Sequence, residues 1–222
     1  MSDEPRLAAQ IDLTITLQTA LHIGTGLGLA QILDDRVVQG PHPDAPGAPL
    51  PYIPGSSLKG RLRYHARQLA GVLLAPEQRS RAEVRLFGLA ESPGGLTFSD
   101  AHLADAALAN SLAANDGALL PLLGRSERSF VGLSRERRVA LNQRLFRLEL
   151  ADGELAFAAR IGGWLPAAHA RSDLGLLIAA MRDMTHLGGH KGRGLGACSC
   201  AIGAITLGAA AIEWQALLEE LR

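Results

Sequence analysis

Residues 185–207 read THLGGHKGRGLGACSCAIGAITL, and the order of elements around this stretch decides what kind of fold the chain builds. Just before it, Leu174, Leu177, Ile178 and Met181 recur at i, i+3, i+4 and i+7, which predicts a helix over about 166–184. Just after the glycines, ACSCAIGAITL reads as a strand. Between the two lie Gly188, Gly189, Gly192, Gly194 and Gly196, interleaved with Lys191 and Arg193. Glycines let a ligand approach the backbone closely, and bare amides beside two cations suit a phosphate. A dinucleotide fingerprint or a P-loop follows a strand and opens a helix. This loop follows a helix, enters a strand and lacks the GK[ST] ending, so neither motif is present.

Working outward, residues 10–23 alternate, with Ile11, Leu13, Ile15 and Leu17 on one side and Asp12, Thr14, Thr16 and Gln18 on the other. That is a half-buried strand. From Gly24 to Pro51 the pattern dissolves into glycines and prolines, a loop long enough to suggest a functional role. PYIPGSSLKGRLRYHARQLAGVLL (51–74) then predicts a helix capped by Ser56 or Ser57, with Leu58, Leu62, Leu69 and Leu73 as its buried stripe. Lys59, Arg63 and Arg67 form a second stripe at i, i+4 and i+8, without the acids at helical spacing that accompany an ordinary solvated face. Further on come a short helix at 82–88, a strand at LTFSDA (96–101), and an Ala/Leu-rich stretch at 102–124 with no single reading. A hairpin is expected over 142–161 with Asp152 and Gly153 at its turn, and an amphipathic helix over about 211–221 closes the chain. This order suits one α+β domain over 1–222 of modified ferredoxin-like type, helices on one face, with insertions at about 24–54 and 102–143.

Composition narrows the function. Hydrophobic residues make up 47% and charged residues 20%, enough for a core built from aliphatic side chains, since aromatics are only 4%. The 22 basic and 22 acidic residues cancel, which alone argues against a nucleic-acid binder. Their distribution argues the other way: windows 56–67, 125–147 and 186–196 hold four, seven and two cations against only Glu127 and Glu136. Sorted charge of this kind builds local positive surface on a neutral protein. No apolar run is long enough to cross a membrane, and a cytoplasmic protein is expected. Cys198 and Cys200 read as small core residues rather than a disulfide or metal pair.

Three groups remain as candidates for chemistry. His22 lies in LHIGTG (21–26), beside Gly24, as a packed residue or an acid/base group. His186 and His190 are separated by two glycines, which does not suit a helical metal pair. Asp34 and Asp35 sit between apolar pairs in the long loop. An acid held against an RNA backbone can position or deprotonate a 2′-hydroxyl, or hold a divalent cation that does so.

Taken together, LHIGTG, the Asp-bearing loop, PYIPGSSLKGRLR, LFG with LTFSDA, and GGHKGRGLG resemble the RAMP superfamily of CRISPR-associated proteins. Within it, the chain is similar to the repeated backbone subunit of type III effector complexes, with landmarks from residue 21 to residue 196. The resemblance implies a modified RNA-recognition-motif fold, stacked in several copies along a guide CRISPR RNA among other type III subunits. It implies that Asp34, with Asp35 as the alternative, cleaves the paired target RNA, with Mg²⁺ or another divalent cation as the expected cofactor. It places His22, Gly24, Ser56, Ser57, Lys59, Arg63 and Arg67 on the RNA, with Gly189, Lys191, Gly192, Arg193 and Gly194 clamping the same backbone. Such contacts read shape and charge and leave sequence to base pairing. The competing readings are a binding-only subunit, a guide-processing endonuclease that uses a histidine, and a nucleotide enzyme built on the glycine loop.

Overall fold

The computed structural model describes residues 4–26, 35–89, 91–114, 118–133, 136 and 138–221. Asp34 lies outside the described residues. The chain opens with β1 (Arg6–Leu17), then β2 (Gln39–His42) and β3 (Ala45–Pro51), which pair as a hairpin inside the expected loop. Helices α1 (Gly55–Leu73) and α2 (Pro76–Phe87) follow, then the short strands β4 (Gly88–Leu89), β5 (Ser92–Pro93), β6 (Leu96–Phe98) and β7 (His102–Leu103). The ambiguous stretch forms α3 (Ala106–Ala113) and α4 (Leu120–Leu123), and leads into β8 (Arg125–Leu133) and β9 (Ala140–Ala151). β10 (Ala156–Pro166), α5 (Ala170–Asp183), β11 (Cys198–Leu207), β12 (Ala210–Ala211) and α6 (Trp214–Glu219) complete it.

The main sheet runs β12-β11-β1-β10-β6, antiparallel at every step, with β7 also against β10. Counting β1, β6, β10 and β11 as first to fourth gives the order four-one-three-two, with α1–α2 and α5 as the two crossovers. That is the ferredoxin-like arrangement expected from the sequence. β1 is central because its odd residues are all apolar: Ile11, Leu13, Ile15 and Leu17 are buried under the helices. Its even residues face out, where Asp12 pairs with Arg160 across the strand at 2.7 Å. Helix α1 packs on α5, and α5 on α6 and β11. Leu58 and Leu62 of α1 are fully buried, so shortening either to alanine costs about 2–5 kcal/mol.

Several sequence expectations are corrected. The first strand ends at Leu17, not at residue 23, and α2 begins at Pro76, not at residue 82. Neither Ser56 nor Ser57 caps α1: the helix begins at Gly55 behind Pro54, with no side-chain cap of its own. The free Gly55 N–H is met from a distance, by Asp100 Oδ1 at 2.7 Å. The two strands of the expected 142–161 hairpin exist, but they do not pair with each other. β9 pairs with β8 to form a separate two-stranded ribbon, while β10 joins the main sheet beside β1. Residues Asp152 to Leu155 carry the chain from ribbon to sheet instead of closing a hairpin. Among the described residues no helix is long and apolar enough to cross a membrane.

Candidate nucleic-acid interface

The glycine loop does not stand alone; it is bonded to the segment that follows β1. Gly189 N–H donates to His22 O at 2.9 Å, Gly196 N–H to Ala20 O at 2.8 Å, and Leu187 N–H to Gly196 O at 2.8 Å. Two of its glycines are explained by this packing. A methyl at Gly188 would meet His22 O at 2.3 Å, one at Gly196 would meet Leu187 O at 1.9 Å, and both have positive φ. Gly192 is different: it has no positive φ and nothing within 4 Å of its missing methyl. Gly194 is equally open but has a positive φ, so Gly192 is a glycine that neither space nor backbone conformation requires, and its bare backbone is open to a ligand. Residues Lys191–Arg193 make one 3-10 turn, flanked by His190 and Gly194 in left-handed conformation.

The predicted row of cations on α1 divides. Arg63 Nε donates to Glu83 Oε1 at 2.6 Å, and Arg67 donates through Nε to Oε2 at 3.0 Å and through Nη2 to Oε1 at 2.5 Å. Glu83 belongs to α2, so the acid missing from the helical spacing is supplied by the next helix. Its carboxyl is held below the ordinary value, chiefly by the Arg67 hydrogen bond and against the effect of burial. Lys59 has no carboxylate partner among the described residues; its Nζ lies 5.9 Å from the Phe98 ring centre. Ser56 and Lys59 line a cleft of about 340 Å³ with Gly94, Thr97 and Phe98.

Arg61 was not singled out by the sequence, because it falls off the i, i+4, i+8 row. Its Nε donates to His186 O at 2.8 Å, which ties α1 to the start of the glycine loop. No carboxylate pairs with Arg61 or Lys191 among the described residues. The His186 ring is pushed below its ordinary value by its local burial, then by the charges of Lys191 and Arg61. The signal available in the sequence was the same acid-free window, 56–67, read without regard to helical spacing.

His22, Gly24 and Asp35 are brought together, but as a packed unit. His22 is 4% exposed; its Nδ1 lies 2.9 Å from Glu149 O and its Nε2 3.2 Å from Asp35 Oδ2. The other Asp35 oxygen accepts from Gly26 N–H at 3.1 Å. A methyl on Gly24 would sit 1.9 Å from Asp35 Oδ2, so Gly24 is needed for this contact. Glu149, on β9, is the residue the sequence reading missed. It is 5% exposed, and its carboxylate accepts from Val37 N–H at 3.1 Å and pairs with Arg125 at 3.1 Å. Its backbone N–H donates to Asp35 O at 3.1 Å. One residue thus fastens the Asp-bearing loop to the root of the ribbon. Nothing in the local pattern of RLFRLELADG marks it, because its partners in the loop, Asp35 and Val37, lie more than 100 positions earlier. Among the described residues no three His, Cys, Asp or Glu side chains converge to hold a metal ion.

The open face of the main sheet is a poor RNA platform. RNA-recognition motifs stack bases on aromatic side chains there. Here the middle of the face carries Asp12, Thr14, Ala158 and Arg160, around a cleft of about 630 Å³ that also holds Asp44 and Asp100. Carboxylates repel phosphate. The cations without a carboxylate partner among the described residues lie elsewhere, on α1 and on the glycine loop that Arg61 ties to it.

The ferredoxin-like sheet with its glycine loop has relatives among known proteins. A model of the RAMP superfamily matches residues 14–199, and the chain belongs to that superfamily. Among solved structures it is similar to a chain in the cryo-EM structure of the apo state of type III-B Cmr-beta. That likeness has 14% identity and a TM-score of 0.60, covering 87% of this chain and 96% of the other. It is also similar to a chain in type III-B Cmr-beta bound to cognate target RNA, at 15% identity and a TM-score of 0.61, with the same coverage. No curated protein sequence matches.

Proposed function

We propose that this protein is a guide-RNA-binding backbone subunit of a type III CRISPR effector complex, and that it cleaves the target RNA paired to the guide. The observation that carries this is the cationic edge of a RAMP-superfamily fold: Arg61, tied to the start of the glycine loop, and Lys191, next to the open Gly192, have no carboxylate partner among the described residues, and neither has Lys59 on the β6 side of α1. Phosphates meet cations and amides there without any base being read, which is what a subunit repeated along a guide requires. Further copies of itself, other type III subunits, guide and target RNA are the partners this role entails.

Cleavage is assigned to Asp34. Both carboxylate oxygens of Asp35 are occupied, by His22 and by Gly26 N–H, so Asp35 holds the loop. In the reaction the target 2′-oxygen attacks the adjacent phosphorus and loses its proton as the bond to the 5′-oxygen breaks. The products are a 2′,3′-cyclic phosphate and a 5′-hydroxyl that has gained a proton. Asp34 would orient or deprotonate the 2′-hydroxyl. The described residues offer no donor set for Mg²⁺, so a divalent cation would be held by Asp34 together with RNA oxygens. The ribbon supplies the element to part the paired strands: Val131 and Leu145 are cross-strand partners, 43% and 66% exposed, an apolar wedge on an otherwise basic hairpin. A guide-processing reading through His22 is disfavoured, since that ring is buried with both nitrogens engaged.

The test is target cleavage by complexes reconstituted with wild type, Asp34→Ala and Asp35→Ala, with guide binding followed in parallel. Loss of cuts in Asp34→Ala with guide binding intact is the expected result. A wild type that binds guide and never cuts makes this a binding-only subunit.

A further inference from the structure

Two phenyl rings, a guanidinium and an imidazole form one column where the ribbon meets the glycine loop. Phe130 and Phe146 stack with centroids 5.7 Å apart. The Arg193 guanidinium carbon lies 4.4 Å from the Phe146 centroid and 5.4 Å from that of Phe130. A cation over a ring face is held there by the ring quadrupole, so this arginine has a seat. From that seat its Nη1 reaches His190 Nδ1 at 3.3 Å. A guanidinium carries donors only, so Nδ1 must accept, and a neutral His190 then bears its hydrogen on Nε2. The His190 ring is wedged 5.4 Å from His22 and 6.1 Å from Phe146, while its residue remains exposed. Its Nε2 has no partner among the described residues.

We propose that His190 is a ligand of the RNA backbone, donating from Nε2 to a phosphate oxygen, and that Arg193 is its positioning residue rather than a phosphate contact. This rests on the RNA-binding reading above and changes the role of Arg193 within it. The neighbours fit: Lys191 follows His190 directly, and Gly192 leaves the backbone open beside it. Neutrality of His190 is supported by its surroundings, since burial first, then His22 and Arg193, push its ring below the ordinary value.

The two roles differ in their salt signature. Each cation that neutralises a phosphate adds about 0.7 to the slope of log affinity against log salt for a single strand, and a neutral donor adds none. The full chain is titrated with labelled single-stranded RNA over a salt series, as wild type, His190→Ala, Arg193→Met and the double variant. His190→Ala is expected to bind about tenfold to a hundredfold more weakly with an unchanged slope, as for one lost hydrogen bond to a charged oxygen. Arg193→Met should show a similar loss, again without a slope change, and the double variant should be no weaker than His190→Ala. Arg193→Lys, which keeps the charge without the planar donor edge, should fail to restore affinity. A flatter slope in Arg193→Met, multiplying losses in the double variant, or full rescue by lysine would overturn the positioning role. Unchanged affinity in His190→Ala overturns the ligand role. If the wild type shows no salt-dependent RNA affinity at all, the proposed function falls together with this inference, an outcome distinct from either of the others.

Discussion

Two pairs of cations on helix α1 are the same kind of side chain and have different fates. Lys59 and Arg61 have no acid among the described residues; Arg63 and Arg67, further along, share Glu83 of α2. The glycine loop divides in the same way. Gly188 and Gly196 are bare because the fold leaves no room, whereas Gly192 is bare with nothing around it. In each case one member is engaged by the fold and the other is not. What separates them is a contact made across the structure, which no spacing along one helix or loop displays.

The largest effect should come from filling the glycine that the fold requires. Gly196→Ala places a methyl 1.9 Å from Leu187 O at a positive φ. The backbone conformation alone costs about 1–3 kcal/mol, and the clash adds to it. Thermal unfolding should show a lowered midpoint, with RNA affinity falling only as the folded fraction falls. Gly192→Ala should do the reverse: stability within about 0.5 kcal/mol of wild type, as for an open surface site, but weaker RNA binding. A Gly192→Ala variant that binds RNA normally would remove the loop from the interface.

The next effect is on affinity. Arg61→Ala and Lys191→Ala should each weaken binding of single-stranded RNA by about threefold to tenfold and lower the salt slope by about 0.7. Arg61→Ala also loses the bond to His186 O, so its melting curve is needed alongside. The same change at Arg63 or Arg67 should leave the slope where it was. Equal slopes for all four variants would erase the distinction between the cations that Glu83 holds and those it does not.

The periodic parts of the chain are legible in its residues alone. The alternation of β1 predicts which side is buried residue by residue, and the spacing of Leu174 to Met181 predicts α5. The order of helix, glycine loop and strand leads to the ferredoxin-like sheet. Pairing is not legible. Asp152 and Gly153 mark a turn correctly, and the inference that adjacent strands pair across it fails because β9 has a better partner in β8. The basic, two-sided polarity of β8 hides it as a strand: its residues Arg125, Glu127 and Ser129 face one way, Ser126 and Arg128 the other, so neither face alternates with an apolar one. The site is legible as a set of residues and not as a geometry. Sequence points to His22, Gly24, Asp35, Lys191 and Arg193, but Glu149, Glu83 and Arg61 take their meaning from partners on distant elements. Asp34 remains an assignment from the family pattern.

The smallest effect is the sharpest test of the α1 comparison, because it asks whether Glu83 merely occupies Arg63 and Arg67 or withholds them from RNA. Glu83→Gln removes the charge and keeps the shape. Partly exposed pairs of this kind contribute about 0.5–1 kcal/mol, so the variant should melt slightly earlier at neutral pH. The sign with pH follows from the Glu83 carboxyl being held below its ordinary value. Its contribution is complete above the unfolded-state value and is lost as pH falls through the lower folded value. The stability gap between wild type and Glu83→Gln should therefore close on acidification, not widen. RNA affinity at neutral pH should rise less than about twofold, since Arg63 points about 200° round the helix from Arg61, Arg67 lies six residues further along, and the added charge acts at a screened distance. A steeper salt slope in Glu83→Gln would show that Arg63 and Arg67 also reach the RNA, and that Glu83 sets how much of the helix does so.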